Sequence, residues 1–172
     1  MSEACGGEKT VSVSGQAEGL VIRTLQADDK ARWQALFKAY VAFYGATVTN
    51  DVVEETWQRL LANTDNMIGL VGEMPSRSID GGFDIVGIVH AVIHASTWTK
   101  QSYCYLEDLY VDKQVRRAGI GQALIEAIFA EADKRNCTRT YWVTKEDNVE
   151  ARALYDRLAE RSPFVQYRRK QS

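Results

Sequence analysis

Two arginines and two glycines stand close together between a strand-like and a helix-like stretch of the sequence. The segment runs from Val115 to Gly121, with Arg116 and Arg117 followed by Gly119 and Gly121. Glycines let the backbone approach a ligand closely, and the first amides of the following helix have no partner within that helix. These amides, the positive end of the helix dipole and the two guanidinium groups together favour an anion, with a phosphate or pyrophosphate as the natural occupant.

Two common nucleotide-binding motifs do not fit this loop. A P-loop needs Gly-Lys-Ser/Thr, but Gly121 is followed by Gln122 and Ala123. A dinucleotide fingerprint needs a third glycine where Leu124 stands, and a tight turn after the strand, whereas residues 112–118 intervene. The loop by itself also leaves a solvated surface turn as an alternative.

The elements around this loop alternate between strand and helix patterns. β-Branched runs predict strands, and apolar residues at helical spacing, such as Trp33, Leu36 and Phe37, predict helices. The predicted strands are residues 20–25, 67–71, 84–95, 103–111, 138–143 and 164–168. The predicted helices run from Asp28 or Asp29 to Gly45, from Asn50 or Asp51 past Leu61, over 119–132 and over 148–158. The order β-α-α-β-β-β-α-β-α-β predicts an α/β domain around a mixed sheet.

The composition predicts one globular domain over residues 19–172, preceded by a flexible tail over residues 1–18. Of the 172 residues, 45% are hydrophobic, yet no apolar run approaches the roughly 20 residues that span a bilayer. The 21 Lys and Arg against 23 Asp and Glu give a net charge of -2, which offers no general attraction to nucleic acid or to a membrane surface. The three cysteines lack the spacing of a disulfide or zinc framework, and residues 1–18 lack the apolar stretch of a secretory signal. We therefore expect a cytoplasmic protein without a metal.

Three separate motifs, in this order along the chain, resemble those of the GCN5-related N-acetyltransferases (GNAT). The family's acetyl-coenzyme A signature, Arg/Gln-x-x-Gly-x-Gly/Ala, is matched by residues 116–121. The strand over 105–111 resembles the family's fourth strand, most of all that of the diamine (spermidine/spermine) acetyltransferases. Residues 148–155 match the family's Asn-x-x-Ala-x-x-Leu/Phe-Tyr helix. The resemblance covers residues 20–170, although many members have a Gly before the final strand where this chain has none over 157–163.

The resemblance implies acetyl transfer from acetyl-coenzyme A (acetyl-CoA), a co-substrate that would lie in a V between the fourth and fifth strands of the GNAT fold. Its pyrophosphate would bind the loop amides, and its pantetheine would pair with the fourth strand as a short extra strand. The residues implied to bind the coenzyme are Leu109, Tyr110, Val111, Arg116, Arg117, Ala118, Gly119, Ile120, Gly121, Gln122, Asn148 and Tyr155. The amide of Leu109 is the one that we expect to polarise the thioester carbonyl.

Glu107 is the candidate catalytic base. An aliphatic amine has a pKa near 10.4, so reaching its neutral, reactive form at pH 7 costs on the order of 4–5 kcal/mol. A carboxylate can take up the proton directly or through a water molecule. Glu107 lies two residues before Leu109, which predicts that both share one face of the strand, and the equivalent glutamate of the diamine enzymes is thought to have this role. The alternatives are that Glu107 only binds a cationic substrate or pairs with a basic residue, or that His90, His94 or a water chain is the base. Asp108 is expected to face the other way and to be structural.

Tyr155 is the candidate general acid for the departing thiolate. It lies seven residues after Asn148, so the two side chains share one face of a helix. A thiol with a pKa of about 8.5 and a tyrosine with a pKa of about 10 differ by about 1.5 units, so proton transfer is uphill by about 2 kcal/mol. Asn148 is expected to orient the coenzyme, and a buried aromatic is the alternative role for Tyr155.

The predicted function is direct transfer of acetyl, in a ternary complex, to the primary amine of a small molecule such as a polyamine, a diamine or an amino acid. Tyr40, Phe43 and Tyr44 lie where this family's acceptor pocket is usually walled. The alternatives are a protein lysine or N-terminal acetyltransferase and a non-catalytic acetyl-CoA-binding module. No nucleic acid or membrane partner is predicted. Pairing of the terminal strand over 164–168 across a subunit boundary makes a homodimer an expectation.

Overall fold

A computed structural model describes residues 18–64, 66–76 and 81–169 of the chain. These residues form two compact units, one ending at Trp142 and the other beginning at Val143. The flexible tail predicted for residues 1–18 lies outside the described residues, apart from Glu18. One catalytic domain over 19–172 stays a prediction.

The first unit is a five-stranded sheet with three helices. Its elements are β1 (Val21–Thr24), α1 (Lys30–Phe43), α2 (Asn50–Ala62), β2 (Met67–Pro75), β3 (Phe83–Ala95), β4 (Ser102–Val111), α3 (Ile120–Lys134) and β5 (Arg139–Tyr141). The strands lie in the order β1-β2-β3-β4-β5, antiparallel as far as β4, while β4 and β5 are parallel. The predicted α/β class with a mixed sheet is therefore confirmed.

Helices α1 and α2 cover one face of the sheet, and α3 covers the other. On the first face, the predicted apolar stripe of α1 is buried, with Trp33 fully enclosed. On the second face, a Cβ atom at Gly87 of β3 would lie only 2.9 Å from Leu124 Cδ1 and 3.2 Å from Ile120 Cγ2. A glycine at this position therefore brings the first turn of α3 against the sheet. Among the helices of the described ranges, none is long and apolar enough to cross a membrane.

The second unit holds α4 (Val149–Leu158), followed by residues without regular structure up to 169. The terminal strand predicted over 164–168 is wrong, since these residues form no strand. Their large apolar side chains are not buried: Phe164 is 86% exposed and Tyr167 is 91% exposed. Aromatic and β-branched residues favour a strand only where they pack against neighbouring strands or a core, and that condition is not met here.

Candidate active site

The parallel pairing of β4 with β5 is short. It joins only three residues of each strand, Tyr103 to Tyr105 with Arg139 to Tyr141. Strand β4 continues to Val111, so residues 106–111 extend beyond the parallel pairing. The predicted coenzyme-binding residues Leu109, Tyr110 and Val111 all lie in this extension. The V between the two strands that the resemblance implies stays a prediction.

The loop after β4 is tied to both β3 and α1 through Asp112. Its amide donates to the Val86 carbonyl at 2.8 Å, and its Oδ1 accepts the Gln114 amide at 3.0 Å. Its Oδ2 forms an ion pair with Arg32 at 2.6 Å. The Gln114 amide and then the Arg32 guanidinium hold the pKa of Asp112 below its usual range. Ionised Asp112 thus fixes the path by which the chain reaches the Arg/Gly segment.

Helix α3 begins with an arrangement suited to an anion. Gly119 is left-handed, with φ of 77°, and its carbonyl accepts the first helical bond from Ala123 at 3.0 Å. The amides of Ile120, Gly121 and Gln122 precede that bond, and no acidic residue lies in the first turn. Such amides at the positive end of a helix bind phosphate groups well.

The two arginines of the loop differ in conformation. Arg116 is extended, its Nε donates to the Val111 carbonyl at 3.4 Å, and its guanidinium lies 5.8 Å from the centre of the Tyr110 ring. Arg117 is left-handed, with φ of 65°. Arg116 therefore remains close to the end of β4.

We expect Gly119→Ala to weaken acetyl-CoA binding about tenfold or more. An L-residue in the left-handed region costs about 1–2 kcal/mol, and the loop can relieve that strain only by moving the amides. Gly45→Ala is the matched control, because Gly45 has φ of 66° and open space around its Cβ position. Both variants should unfold at lower temperature than the wild type, but only Gly119→Ala should lose the rise in melting temperature that acetyl-CoA produces. Equal coenzyme shifts in the two variants would argue against an anion site at this turn.

A β-bulge interrupts β4 at Glu107. Ala91 of β3 lies opposite Leu106, whereas its neighbour His90 lies opposite Asp108, so Glu107 is an extra residue. The expectation that Glu107 and Leu109 share one face is wrong for this reason. Leu109 lies opposite Val89, on the face of the sheet that packs against α3, while the two acidic residues oppose His90 on the α1 face.

Asp108 was predicted to point away from Glu107, and the bulge makes that prediction wrong as well. Asp108 Oδ2 lies 2.8 Å from His90 Nδ1. The Tyr40 hydroxyl of α1 donates to the Glu107 carbonyl at 3.3 Å. Burial, followed by the charge of Asp108 and a hydrogen bond with it, raises the pKa of Tyr40. The bulge thus collects two carboxylates and a neutral phenol on one side of the sheet.

Two tyrosine pairs flank the bulge. Tyr40 and Tyr44 of α1 have ring centres 5.1 Å apart, and Tyr105 of β4 and Tyr141 of β5 have ring centres 5.0 Å apart. Burial raises the pKa of Tyr141, and the charge of Glu107 adds to this shift. We refer to Glu107, Asp108 and these four tyrosines as the bulge cluster.

Comparisons with known proteins decide the family. The sequence model of the Acetyltransferase (GNAT) family matches residues 33–159, which is most of the chain. The chain belongs to the GNAT acetyltransferase family. This GNAT protein is therefore an enzyme, an acyltransferase of the N-acetyltransferase class.

Two curated relatives and one solved structure show how far the likeness extends. The D-amino-acid N-acetyltransferase HPA3 of Saccharomyces cerevisiae is 29% identical over 150 residues, which are 87% of this chain and 90% of that one. The thialysine N-epsilon-acetyltransferase of Caenorhabditis elegans is 38% identical over 61 residues, 36% of this chain and 38% of that one. The structure of AAC(6')-Iy in complex with a bisubstrate analogue, CoA-S-monomethyl-acetylneamine, has a TM-score of 0.74 at 17% identity. It covers 90% of this chain and 100% of that one, and it shows a shared fold.

The remaining predicted site residues of the GNAT enzyme, Asn148 and Tyr155, lie in the second unit. Asn148 immediately precedes α4, and its Nδ2 donates to Thr144 Oγ1 at 2.9 Å. Tyr155 lies two turns further along α4, and its carbonyl accepts the Ala159 amide at 2.9 Å as the helix ends. Both side chains are half-buried.

Neither histidine proposed as an alternative base has an uncommitted ring. His90 is buried, with Nδ1 on Asp108 and Nε2 2.9 Å from Trp33 Nε1. His94 has Nδ1 on the Ala95 carbonyl and Nε2 on the Tyr141 hydroxyl, at 2.8 and 2.9 Å. The thiol of Cys104 is buried, which raises its pKa to about 11 and makes it a poor nucleophile.

Sequence reasoning missed Asp108 and Tyr141 as members of the bulge cluster. Adjacent acidic residues in an otherwise apolar strand were the available sign, because regular alternation would place one of them on the side of a buried layer. Tyr141 carried no comparable sign in the sequence. Within the described ranges, no group of three or more His, Cys, Asp or Glu side chains is arranged to hold a metal ion.

Proposed function

We propose that this enzyme transfers the acetyl group of acetyl-CoA directly to a primary amine of a small, cationic molecule, in a ternary complex. The observation that carries the proposal is the end of the β4–β5 pairing at Tyr105, beyond which β4 continues to Val111. This part of β4 leads from the two carboxylates of the bulge to the start of α3. Donor and acceptor would therefore meet along one strand.

The donor would bind along residues 109–111 and at the start of α3. Backbone groups of Leu109, Tyr110 and Val111 would pair with the pantetheine amides. The amides of residues 119–122, with Arg116 and Arg117, would hold the pyrophosphate, as the family resemblance implies. The Leu109 amide would polarise the thioester carbonyl, which develops negative charge as the amine attacks.

Glu107 would accept the proton of the attacking amine, directly or through one water molecule. It is exposed and lies at the bulge, between the two tyrosine pairs. Its charge and that of Asp108 favour an acceptor that arrives as an ammonium ion, and aromatic faces add cation–π attraction. Arg139, whose guanidinium lies 4.5 Å from the centre of the Tyr103 ring, is on the same strand as Tyr141 and would be the cation that binds an acceptor carboxylate.

The names of two relatives support a small acceptor. One acts on D-amino acids and the other on thialysine, whose amine side chain is similar in length to that of lysine. The acceptor that we propose is accordingly a diamine, a polyamine or an amino acid. Cytoplasmic location, a homodimer and the lack of nucleic acid or membrane partners stay predictions.

Tyr155 would protonate the departing coenzyme A thiolate, with Asn148 orienting the coenzyme. We expect Tyr155→Phe to lower kcat about 10- to 100-fold with little change in acetyl-CoA affinity, because the pKa gap between thiol and phenol is about 1.5 units. An acyl donor with a more acidic thiol should restore much of the rate, since such a thiolate leaves without a proton. Tyr167→Phe, which alters a tyrosine of the same unit that is 91% exposed, is the matched control. Equal loss of rate with both donors would remove Tyr155 as the acid.

The test of the proposed function is release of free thiol from acetyl-CoA across a panel of amines. The panel contains diamines, polyamines, D- and L-amino acids, and peptides with a lysine or a free N-terminus. We expect turnover with small amines and none with the peptides. Turnover confined to peptides would favour a protein acetyltransferase, and coenzyme binding without turnover on any amine would favour a binding module.

A further inference from the structure

We infer that His90 and Trp33 are positioning residues of the acetyl-transfer reaction, which act through the Asp108 carboxylate. The inference rests on the proposed function, because it takes the bulge cluster, which contains Asp108, as the site that binds the acceptor. It also assigns a role in the reaction to two side chains that lie wholly inside the protein. Trp33 is 0% exposed and His90 is 1% exposed.

The hydrogen-bond partners of His90 fix its tautomer. An indole N–H can only donate, and Trp33 Nε1 lies 2.9 Å from His90 Nε2. Nε2 must therefore be unprotonated, and the neutral ring carries its proton on Nδ1. Nδ1 lies 2.8 Å from Asp108 Oδ2, so His90 donates to the carboxylate. A ring with protons on both nitrogens would set one N–H against another at Trp33, so the geometry favours the ring with its proton on Nδ1 alone.

The chain of hydrogen bonds runs from the core to the bulge. The ring of His90 is packed on Trp33 and Phe37 of α1, with ring centres 5.8 and 5.6 Å apart. It has no room to swing away from Asp108, whose side chain is 15% exposed. Asp108 Oδ2 is thus held by a hydrogen bond from a buried side chain, His90. The bulge places the Asp108 carboxylate next to Glu107.

A fixed carboxylate matters for an ammonium acceptor. Two adjacent carboxylates, Glu107 and Asp108, repel each other, and a mobile Asp108 would turn towards solvent. The bond from His90 keeps the Asp108 charge on the α1 face, where the Tyr40 phenol is also close to it. His90 and Trp33 therefore orient the charge that holds the acceptor, and neither touches substrate.

Two amide substitutions separate this role from simple core packing. In His90→Asn, the side-chain amide reaches about as far as Nδ1 and can still donate to Asp108. In His90→Gln, the longer amide reaches the position of Nε2 and keeps only the contact with Trp33. We expect His90→Asn to retain the KM for the amine within about fivefold, and His90→Gln to raise it tenfold or more. The KM for acetyl-CoA should be unchanged in both.

A double-mutant cycle tests whether the effect passes through Asp108. In an Asp108→Asn background, His90→Gln should raise the amine KM no further. Additive effects, or equal amine KM values for the Asn and Gln variants, would overturn the inference. If the wild type transfers acetyl to no amine, the proposed function is wrong. That outcome is distinct from additive effects in the cycle, which contradict only the inference about His90.

The tautomer has a readout that needs no activity. Long-range proton–nitrogen NMR spectra of the wild type at pH 7 should show His90 as the neutral ring protonated on Nδ1. Trp33→Phe removes the indole N–H and keeps an aromatic ring, so we expect a mixture of tautomers together with a higher amine KM. A wild-type ring protonated on Nε2, or on both nitrogens, would overturn the inference even if the His90 variants fail to fold.

Discussion

Glu107→Gln is expected to lower kcat/KM for the amine about 10²- to 10⁴-fold at pH 7, the range found for loss of a general base. Glutamine keeps the size of the side chain and its place at the bulge but cannot accept a proton. Acetyl-CoA affinity should be unchanged, because the coenzyme would bind at residues 109–122. Initial rates of thiol release at varied amine concentration measure the effect.

The pH dependence of this loss identifies the role of Glu107. As the pH approaches the amine's own pKa, about 10.4, more of the acceptor is already neutral and the need for a base disappears. The deficit of Glu107→Gln should therefore shrink as the pH rises. Asp133→Asn, an exposed substitution near the far end of α3, should follow the wild-type profile throughout. A deficit that stays constant with pH would assign Glu107 to substrate binding alone.

Asp29→Asn is expected to lower the free energy of unfolding by about 3 kcal/mol at pH 7, the low end for breaking a buried ion pair. Asp29 is 7% exposed and makes two bonds to the Arg23 guanidinium, at 2.7 and 2.9 Å. It also accepts the Gln26 amide at 2.7 Å. These bonds connect β1 to the turn that starts α1, so the loss would loosen the helix that carries Trp33 and Tyr40. Urea unfolding at constant m-value measures it.

At acidic pH, Asp29→Asn and the wild type should have the same free energy of unfolding. Burial opposes ionisation of Asp29, but the Arg23 guanidinium and the Gln26 amide outweigh it and hold the pKa below 3.8, the ordinary value. On acidification the unfolded chain therefore binds a proton first. The stabilisation is complete above about pH 5 and is lost as the pH falls through the folded-state pKa.

The control for this prediction is a carboxylate in an exposed ion pair. Glu54 is paired with Lys30 at 2.8 Å, and its side chain is 50% exposed. Water screens the charges of an exposed pair, so Glu54→Gln should change the urea midpoint little at any pH. Equal losses for Glu54→Gln and Asp29→Asn would contradict the assignment of the stability to the buried pair.

The periodicity of apolar residues predicted most helices and strands of the first unit, because the side chains that are buried there follow that periodicity. The stripe of Trp33, Leu36 and Phe37 is buried as its spacing indicates, and β3 is the long β-branched run between two turns. The loop motif also predicted the place of Gly119 and of the start of α3. These features depend on residues that are near each other in the chain, and such local patterns can be recognised in the sequence itself.

The features that the sequence did not predict depend on partners distant in the chain. The bulge at Glu107 appears only when β4 is paired with β3, since the same letters fit a regular strand. The prediction of the terminal strand was wrong for the corresponding reason, because residues 164–168 have the aromatic and β-branched side chains of a strand but none of these is buried. The bonds of His90 to Trp33 and Asp108 join residues 57 and 18 positions apart.

The extra residue in β4 restricts how this enzyme can change its choice of acceptor during evolution. Deleting Glu107 would shift one half of β4 by one residue relative to β3, and the side chains of that half would then point to the opposite face of the sheet. The apolar side chains that would lose their packing are Cys104 and Leu106 on one half, or Leu109 and Val111 on the other. The hydrophobic packing of the residues before and after the bulge therefore fixes the position of Glu107 and Asp108 in the strand. New specificities are accessible through substitutions at positions 107 and 108, whereas insertions and deletions there would cost the fold itself.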